Sequence, residues 1–249
     1  MLYGENGKMK LFSIYTDQTT VLKNEWFLKT LKDDWELNIL YLEDAPKGSG
    51  DYLSEEWFYC IKIKIEILID AIKNNFNDII IWADIDIQFF RECTDIVEQY
   101  IQGKDIVFQL WDKKKEEINS GFMAIRCNEK TLALFETVLK TPFSGRAFAD
   151  QDVINDILKQ DLIPLQWGFF PRDIYHVMLG IAPVNIALHH ACATPEPFIL
   201  NGRKVSSIDL KIEQLTAIRR FTASSLWGRI FIMLGKLLRR IIKLITPPN

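Results

Sequence analysis

Cysteine is scarce in this 249-residue chain. There are four, Cys60, Cys93, Cys127 and Cys192, and no two fall at C-x-x-C spacing. That excludes a zinc knuckle and a disulfide framework and leaves them as core residues. Histidine is scarcer still, with only His176, His189 and His190. Low-complexity repeats are missing, and the opening M-L-Y-G-E-N-G-K-M-K has no apolar core of the kind an export signal needs, so the expected location is cytoplasmic. Acidic residues are absent after Glu213, where seven Lys or Arg follow, leaving 23 basic and 33 acidic groups in the preceding 213 residues. An acidic body with a basic end suggests two different jobs, and no nucleic-acid partner is expected of either.

What is present is a globular composition, 48% hydrophobic and 25% charged, enough for one large domain or two small ones. Lys10–Thr16 reads as a strand ending in a polar turn, and 36–43 as a second strand. Ser54 with Glu55 and Glu56 makes a helix start, and Trp57, Ile61, Ile65, Leu68 and Ile72 recur at helical spacing until Asn74-Asn75. Further strands are expected at 79–90, 105–111, 121–126, 163–167 and 184–188, with helices over 129–140 and 150–159. Strand and helix alternating through the first hundred residues predicts crossover units and a mostly parallel α/β sheet, with antiparallel strands joining later. From 224 to 245 a strongly apolar segment carries Arg229, Lys236, Arg240 and Lys243 on one helical stripe. It is too interrupted by charge to span a membrane. It suits a helix lying on an anionic bilayer, the alternative being one packed on the domain or in a dimer interface.

The residues able to do chemistry begin with Asp84 and Asp86, one residue apart at the end of the apolar run I-I-I-W-A. On a strand, i and i+2 point the same way, so both carboxylates can face one cation. Oxygen ligands suit Mg²⁺ or Mn²⁺. A D-x-D by itself is equally a solvated strand end. Three other stretches add to it: Asn119-Ser-Gly121, whose glycine permits close backbone approach; Asp150-Gln151-Asp152, with Asp150 able to cap a helix; and His189-His190, of which alternation after a strand leaves at most one needed for catalysis.

Taken in order, these motifs resemble the nucleotide-diphospho-sugar glycosyltransferases of the GT-A fold, closest to the glycogenin and lipooligosaccharide galactosyltransferase type. The resemblance spans about residues 10–215 and is most specific at D-Q-D-V-I-N (150–155). It implies a Rossmann-like, central mixed sheet flanked by helices in a 1–215 domain, with 216–249 as a basic amphipathic helical tail. It further implies a metal-dependent transfer, with retention, from a nucleotide-diphosphate sugar to a glycan or lipid-linked acceptor. Asp84, Asp86 and His190 resemble the ligands of a Mn²⁺ or Mg²⁺ ion, His189 being the fallback. Thr16, Asp17, Lys64 (or Lys62), Asp84, Asn119 and Lys211 resemble nucleotide-sugar contacts, and Asp150, Gln151 and Asp152 the residues at the anomeric centre. Asp152 is the candidate base if configuration inverts. The chain departs from the family in Thr194-Pro-Glu-Pro197, where a Gly-containing loop is usual. A haloacid-dehalogenase phosphatase would want Thr or Val where Gln88 stands, and a sugar nucleotidyltransferase a glycine-rich loop where Asp17-Gln-Thr-Thr stands. A catalytically idle, membrane-attached binding domain is the rival from another class.

Overall fold

The computed structural model describes residues 7–48, 54–112, 114–143, 149–176, 182–192, 198–200, 203–225 and 228–229. β1 (Lys10–Tyr15) leads into α1 (Thr20–Leu22), which widens into a π-helical stretch at Lys23–Leu28. Then come β2 (Glu36–Tyr41), α2 (Glu55–Asn74) and β3 (Ile79–Ala83). β1 pairs in parallel with both β2 and β3, so the opening of the chain is two crossover units. β4 (Ile87–Phe89), α3 (Thr94–Ile101), β5 (Ile106–Asp112), β6 (Glu117–Arg126), α4 (Glu129–Lys140) and α5 (Asp150–Lys159) follow. The rest is β7 (Trp167–Phe169), β8 (Ile174–His176), β9 (Leu188–His190), β10 (Phe198–Leu200), β11 (Arg203–Val205) and α6 (Ser207–Ala223).

The main sheet has the order β2-β1-β3-β6-β5-β7. It is parallel except at β6, which runs against both β3 and β5. β3 lies in its middle with all five residues buried. Its alternation feeds two cores: Ile79, Ile81 and Ala83 pack with Phe27, Val97 and Ile101 on one face, and Ile80 and Trp82 pack with Ile65, Leu68 and Phe135 on the other. Helix starts follow local chemistry. Ser54 Oγ accepts from Trp57 N at the head of α2, and Asn128 with Thr131 forms a capping box at α4.

The expected strand 79–90 is not one strand. β3 ends at Ala83, the chain turns through Asp84–Asp86, and β4 joins a second sheet of order β4-β9-β8. Two carboxylates one residue apart are costly inside a sheet buried on both faces, and leaving it at Asp84 turns them into a cleft. The strand expected at 163–167 begins only at Trp167, because Pro164 has no N–H for a ladder. The strand expected at 184–188 begins at Leu188; Ala187 N donates to Asp173 O instead. α6 runs unbroken across residues 215–216, the division expected from the sequence, with Ile218 and Phe221 buried beside Tyr175 and Ile186. Most of the basic tail, 226–227 and 230–249, lies outside the described residues. No helix among the described residues is long and apolar enough to cross a membrane.

Candidate functional site

The turn at 84–86 lies at the carboxyl end of β3, where open α/β sheets bind ligands, and it opens into a cleft of about 180 Å³. Thr16 at the end of β1, Lys64 of α2, Asn119–Gly121 of β6, Asp150 and Gln151 of α5, His190 of β9 and Lys211 of α6 share that cleft. The sequence separates these residues by nearly two hundred positions.

The ligating atoms of Asp84, Asp86 and His190 all lie within 4.8 Å of one another. Trp82 Nε1 donates to Asp84 Oδ1 at 2.7 Å and steadies a carboxylate that is about one-third exposed (33%). Asp86 is buried. Its Oδ2 lies 2.6 Å from Lys211 Nζ and its Oδ1 3.2 Å from His190 Nε2, yet Oδ1 has no hydrogen-bond partner among the described residues. Burial opposes ionisation of Asp86, but Lys211 and His190 outweigh it and hold the carboxyl well below the usual carboxylate range. His190 shows the opposite balance. Burial disfavours its cation, and the Cys192 thiolate and Asp86 carboxylate overcome that and raise it well above the ordinary imidazole value. A buried oxygen without a donor, a second carboxylate and an imidazole nitrogen facing one point form a donor set that fits Mn²⁺ or Mg²⁺.

The glycine of Asn-Ser-Gly has a steric cause. A Cβ on Gly121 would stand 2.1 Å from His190 Cε1 and 2.9 Å from Asn119 Oδ1. The imidazole therefore occupies the space that any other residue would fill. Asn119 Oδ1 accepts from Gly121 N at 2.8 Å and fixes this bend.

Lys64 ties the two halves of the cleft together. Its buried ammonium donates to Ser120 O at 2.8 Å and Ser120 Oγ at 3.2 Å, and lies 3.1 Å from Asp150 Oδ2 and 3.5 Å from Asp84 Oδ1. Burial alone would lower its pKa; the Asp150 and Asp84 carboxylates raise it above the lysine norm. Asp150 is consequently not a helix cap. The N-cap of α5 is Ala149, at φ 42°, with no side-chain cap, and Asp150 spends its carboxylate on Lys64. A non-glycine residue in that region is strained, a feature that gathers at functional sites. Asn155, the last residue of the D-Q-D-V-I-N string, accepts from Ile118 N at 2.9 Å and docks α5 on β6.

Not every expected site residue is in the cleft. Asp17 accepts from Tyr41 Oη at 2.8 Å on the surface, and neither it nor Asp152 is among the cleft-lining residues. Lys62 is exposed and faces Glu66 at 3.8 Å, one turn along α2. His189 points away from the carboxylates, as strand alternation requires. It meets Gln88 Nε2 at 3.1 Å and stacks on Tyr175. Burial, then the neighbouring His190, lowers its pKa to about 3. Reasoning from sequence missed Glu56, which accepts from Thr16 Oγ1 at 2.9 Å in the cleft wall, as well as Cys192, Trp111 and Ser120. Glu56 had a sufficient local explanation in the first turn of α2, Ser120 lies inside the Asn119-Ser-Gly121 stretch but was given no role of its own, and Trp111 and Cys192 sit in apolar runs.

A family model described as nucleotide-diphospho-sugar transferase matches residues 27–215. No curated protein matches. Among solved structures, a glycosyltransferase involved in the glycosylation of the major capsid of PBCV-1 is similar at a TM-score of 0.55 and 12% identity, over 83% of this chain and 98% of that one. The glycosyltransferase GlyE of Streptococcus pneumoniae TIGR4 is similar at 0.55 and 11%, over 94% of this chain and 64% of that one. An active-site mutant of LgtC is similar at 0.50 and 10%, over 84% and 95%. At these identities the structures establish a shared mixed-sheet α/β fold.

Proposed function

The chain belongs to the nucleotide-diphospho-sugar transferase family, and from that premise we propose that it moves a sugar from a nucleotide-diphosphate donor to a glycan or lipid-linked acceptor, using a divalent cation held by Asp84, Asp86 and His190. The observation that carries this reading is the convergence of those three side chains at 4.8 Å or less in the cleft that also holds Lys64, Asn119, Asp150 and Lys211. A divalent cation bound there supplies Lewis-acid stabilisation of the charge that grows on a departing diphosphate. The protein's own residues do the rest. Lys211, now on Asp86, lies within the cleft and is the cation best placed to pair with phosphate oxygens. Thr16 serves the nucleoside end. Lys64 holds Asp84 and Asp150 in register, so that Asp150 and Gln151 can orient the sugar and favour positive charge at its anomeric carbon.

We read the transfer as retaining. An inverting reaction needs a free carboxylate base facing the sugar; Asp152, the candidate for that role, does not line the cleft, and of the carboxylates that do, Asp150 is paired with Lys64 and Glu56 accepts from Thr16. The test is incubation with a panel of nucleotide-diphosphate sugars and Mn²⁺. Slow metal-dependent hydrolysis of one donor, absent from Asp86→Ala, is expected. A protein that hydrolyses none and shows no Mn²⁺-dependent nucleotide binding in calorimetry would overturn the transferase reading. For the stereochemistry, proton NMR of the first-formed product is expected to show the donor's anomeric configuration.

A further inference from the structure

We propose that Gln109 sets the tautomer of His190 and so acts as a positioning residue for the cation site; this rests on reading Asp84, Asp86 and His190 as that site. Gln109 is fully buried on β5, at the register shift that follows Phe108. Its Nε2 donates to Ile174 O at 3.4 Å, which decides the direction of the amide, since the reverse arrangement would set two oxygens against each other. Oε1 is therefore the end that meets His190, 2.9 Å from Nδ1. An amide oxygen only accepts, so Nδ1 carries a hydrogen in either state of the ring, and the proton given up to a metal ion leaves from Nε2, which then offers its lone pair. Nε2 is the atom that faces Asp86 Oδ1 at 3.2 Å and Asp84 Oδ2 at 3.8 Å. The other neighbour of Nδ1, Cys192 Sγ at 3.7 Å, is a longer and weaker acceptor.

The adjacent histidine is an internal contrast. Gln88 donates from Nε2 to Leu215 O at 2.8 Å and presents the same nitrogen to His189 Nδ1, which must accept. The two histidines thus face opposite ends of two glutamine amides, and of the two only His190 has its Nε2 directed at carboxylates. The second sheet holds the relay in place, because β8 pairs with β9 so that Ile174 stands beside Leu188 and His176 beside His190. Without the Gln109 acceptor the hydrogen is free to sit on Nε2, and a protonated nitrogen is no ligand.

The experiment is titration of the full chain with Mn²⁺ alone, reading free Mn²⁺ by electron paramagnetic resonance, for wild type, Gln109→Met and Gln109→Glu. Thermal melting reports whether each variant is folded. Methionine matches the volume and lacks the acceptor, and is expected to weaken Mn²⁺ binding by about 10–100-fold, the usual effect of losing such a partner. Glutamate keeps the acceptor but cannot donate to Ile174 O, and is expected to bind close to wild type. A Met variant that binds like wild type, or a folded Glu variant as weak as Met, overturns the role of Gln109. If the Met variant does not fold, the Glu variant decides alone, retained affinity supporting the proposal and lost affinity overturning it. Wild type that takes up no Mn²⁺ overturns the cation-site reading itself.

Discussion

Asp86 is the residue on which most of the site's charge balance rests. Lys211 at 2.6 Å and His190 at 3.2 Å both depend on it. Breaking a buried pair from one side costs about 3–5 kcal/mol, so Asp86→Ala is expected to melt well below wild type in addition to losing Mn²⁺-dependent turnover. Asp86→Asn keeps the shape but not the charge, so it leaves Lys211 unpaired as alanine does, and is expected to melt below wild type with Mn²⁺ binding lost in calorimetry. Gly121→Ala makes a different intrusion. Its Cβ at 2.1 Å from His190 Cε1 must displace the ring. Overpacking of this kind costs about 1–3 kcal/mol, and the displaced imidazole is expected to weaken Mn²⁺ binding as measured by titration. A Gly121→Ala protein with unchanged affinity would show that the ring has room to shift without leaving the site.

At the scale of elements, capping and catalysis compete. Asp33 accepts from Cys93 N, Thr94 N and Thr94 Oγ1 and so satisfies the head of α3. Asp33→Ala is expected to cost about 1–2 kcal/mol in chemical denaturation while leaving Mn²⁺ affinity unaltered, because α3 contributes nothing to the cleft. At α5 the choice goes the other way: Asp150 gives up the cap for Lys64, and Ala149 takes the strained conformation. β3 and β4 divide similar labour. β3 anchors the D-x-D in the core, and β4 carries the chain into the sheet that brings His190 back beside it.

For the whole molecule, α6 is both scaffold and site, since it packs Leu215, Ile218 and Phe221 while supplying Lys211. A chain ending at Ser225 is therefore expected to keep Mn²⁺-dependent activity, and one ending before Ser207 to lose it. If the basic segment 224–245 binds anionic membrane, the Ser225 chain should also stop sedimenting with anionic liposomes. Full-length protein that ignores such liposomes would place that segment in a protein interface instead. Acid stability carries a further signature. His189 titrates at about 3 in the fold against 6.5 ordinarily, so between those values the unfolded chain binds a proton that the native state excludes. Its neutral burial is fully stabilising above pH 6.5 and is lost progressively as pH falls toward 3. Melting temperature followed across that window is expected to drop less steeply for His189→Gln than for wild type.

Sequence by itself determined the strand and helix alternation, the starts of α2 and α4, the D-x-D and the order of the motifs behind it. Caps and periodicities are written in residues three or four apart, and such signals survive without knowledge of the fold. Only the tertiary structure decided which of His189 and His190 faces the carboxylates, that Lys64 rather than Lys62 reaches Ser120, and that Asp17 turns to Tyr41. It also revealed Gln109, a polar residue in the apolar run Ile106–Trp111 whose partner His190 is 81 positions away. The break at Asp84 belongs to this second kind. The apolar run reads straight through it, and the chain turns there because a sheet buried on both faces has no place for two carboxylates while the cleft beside it does.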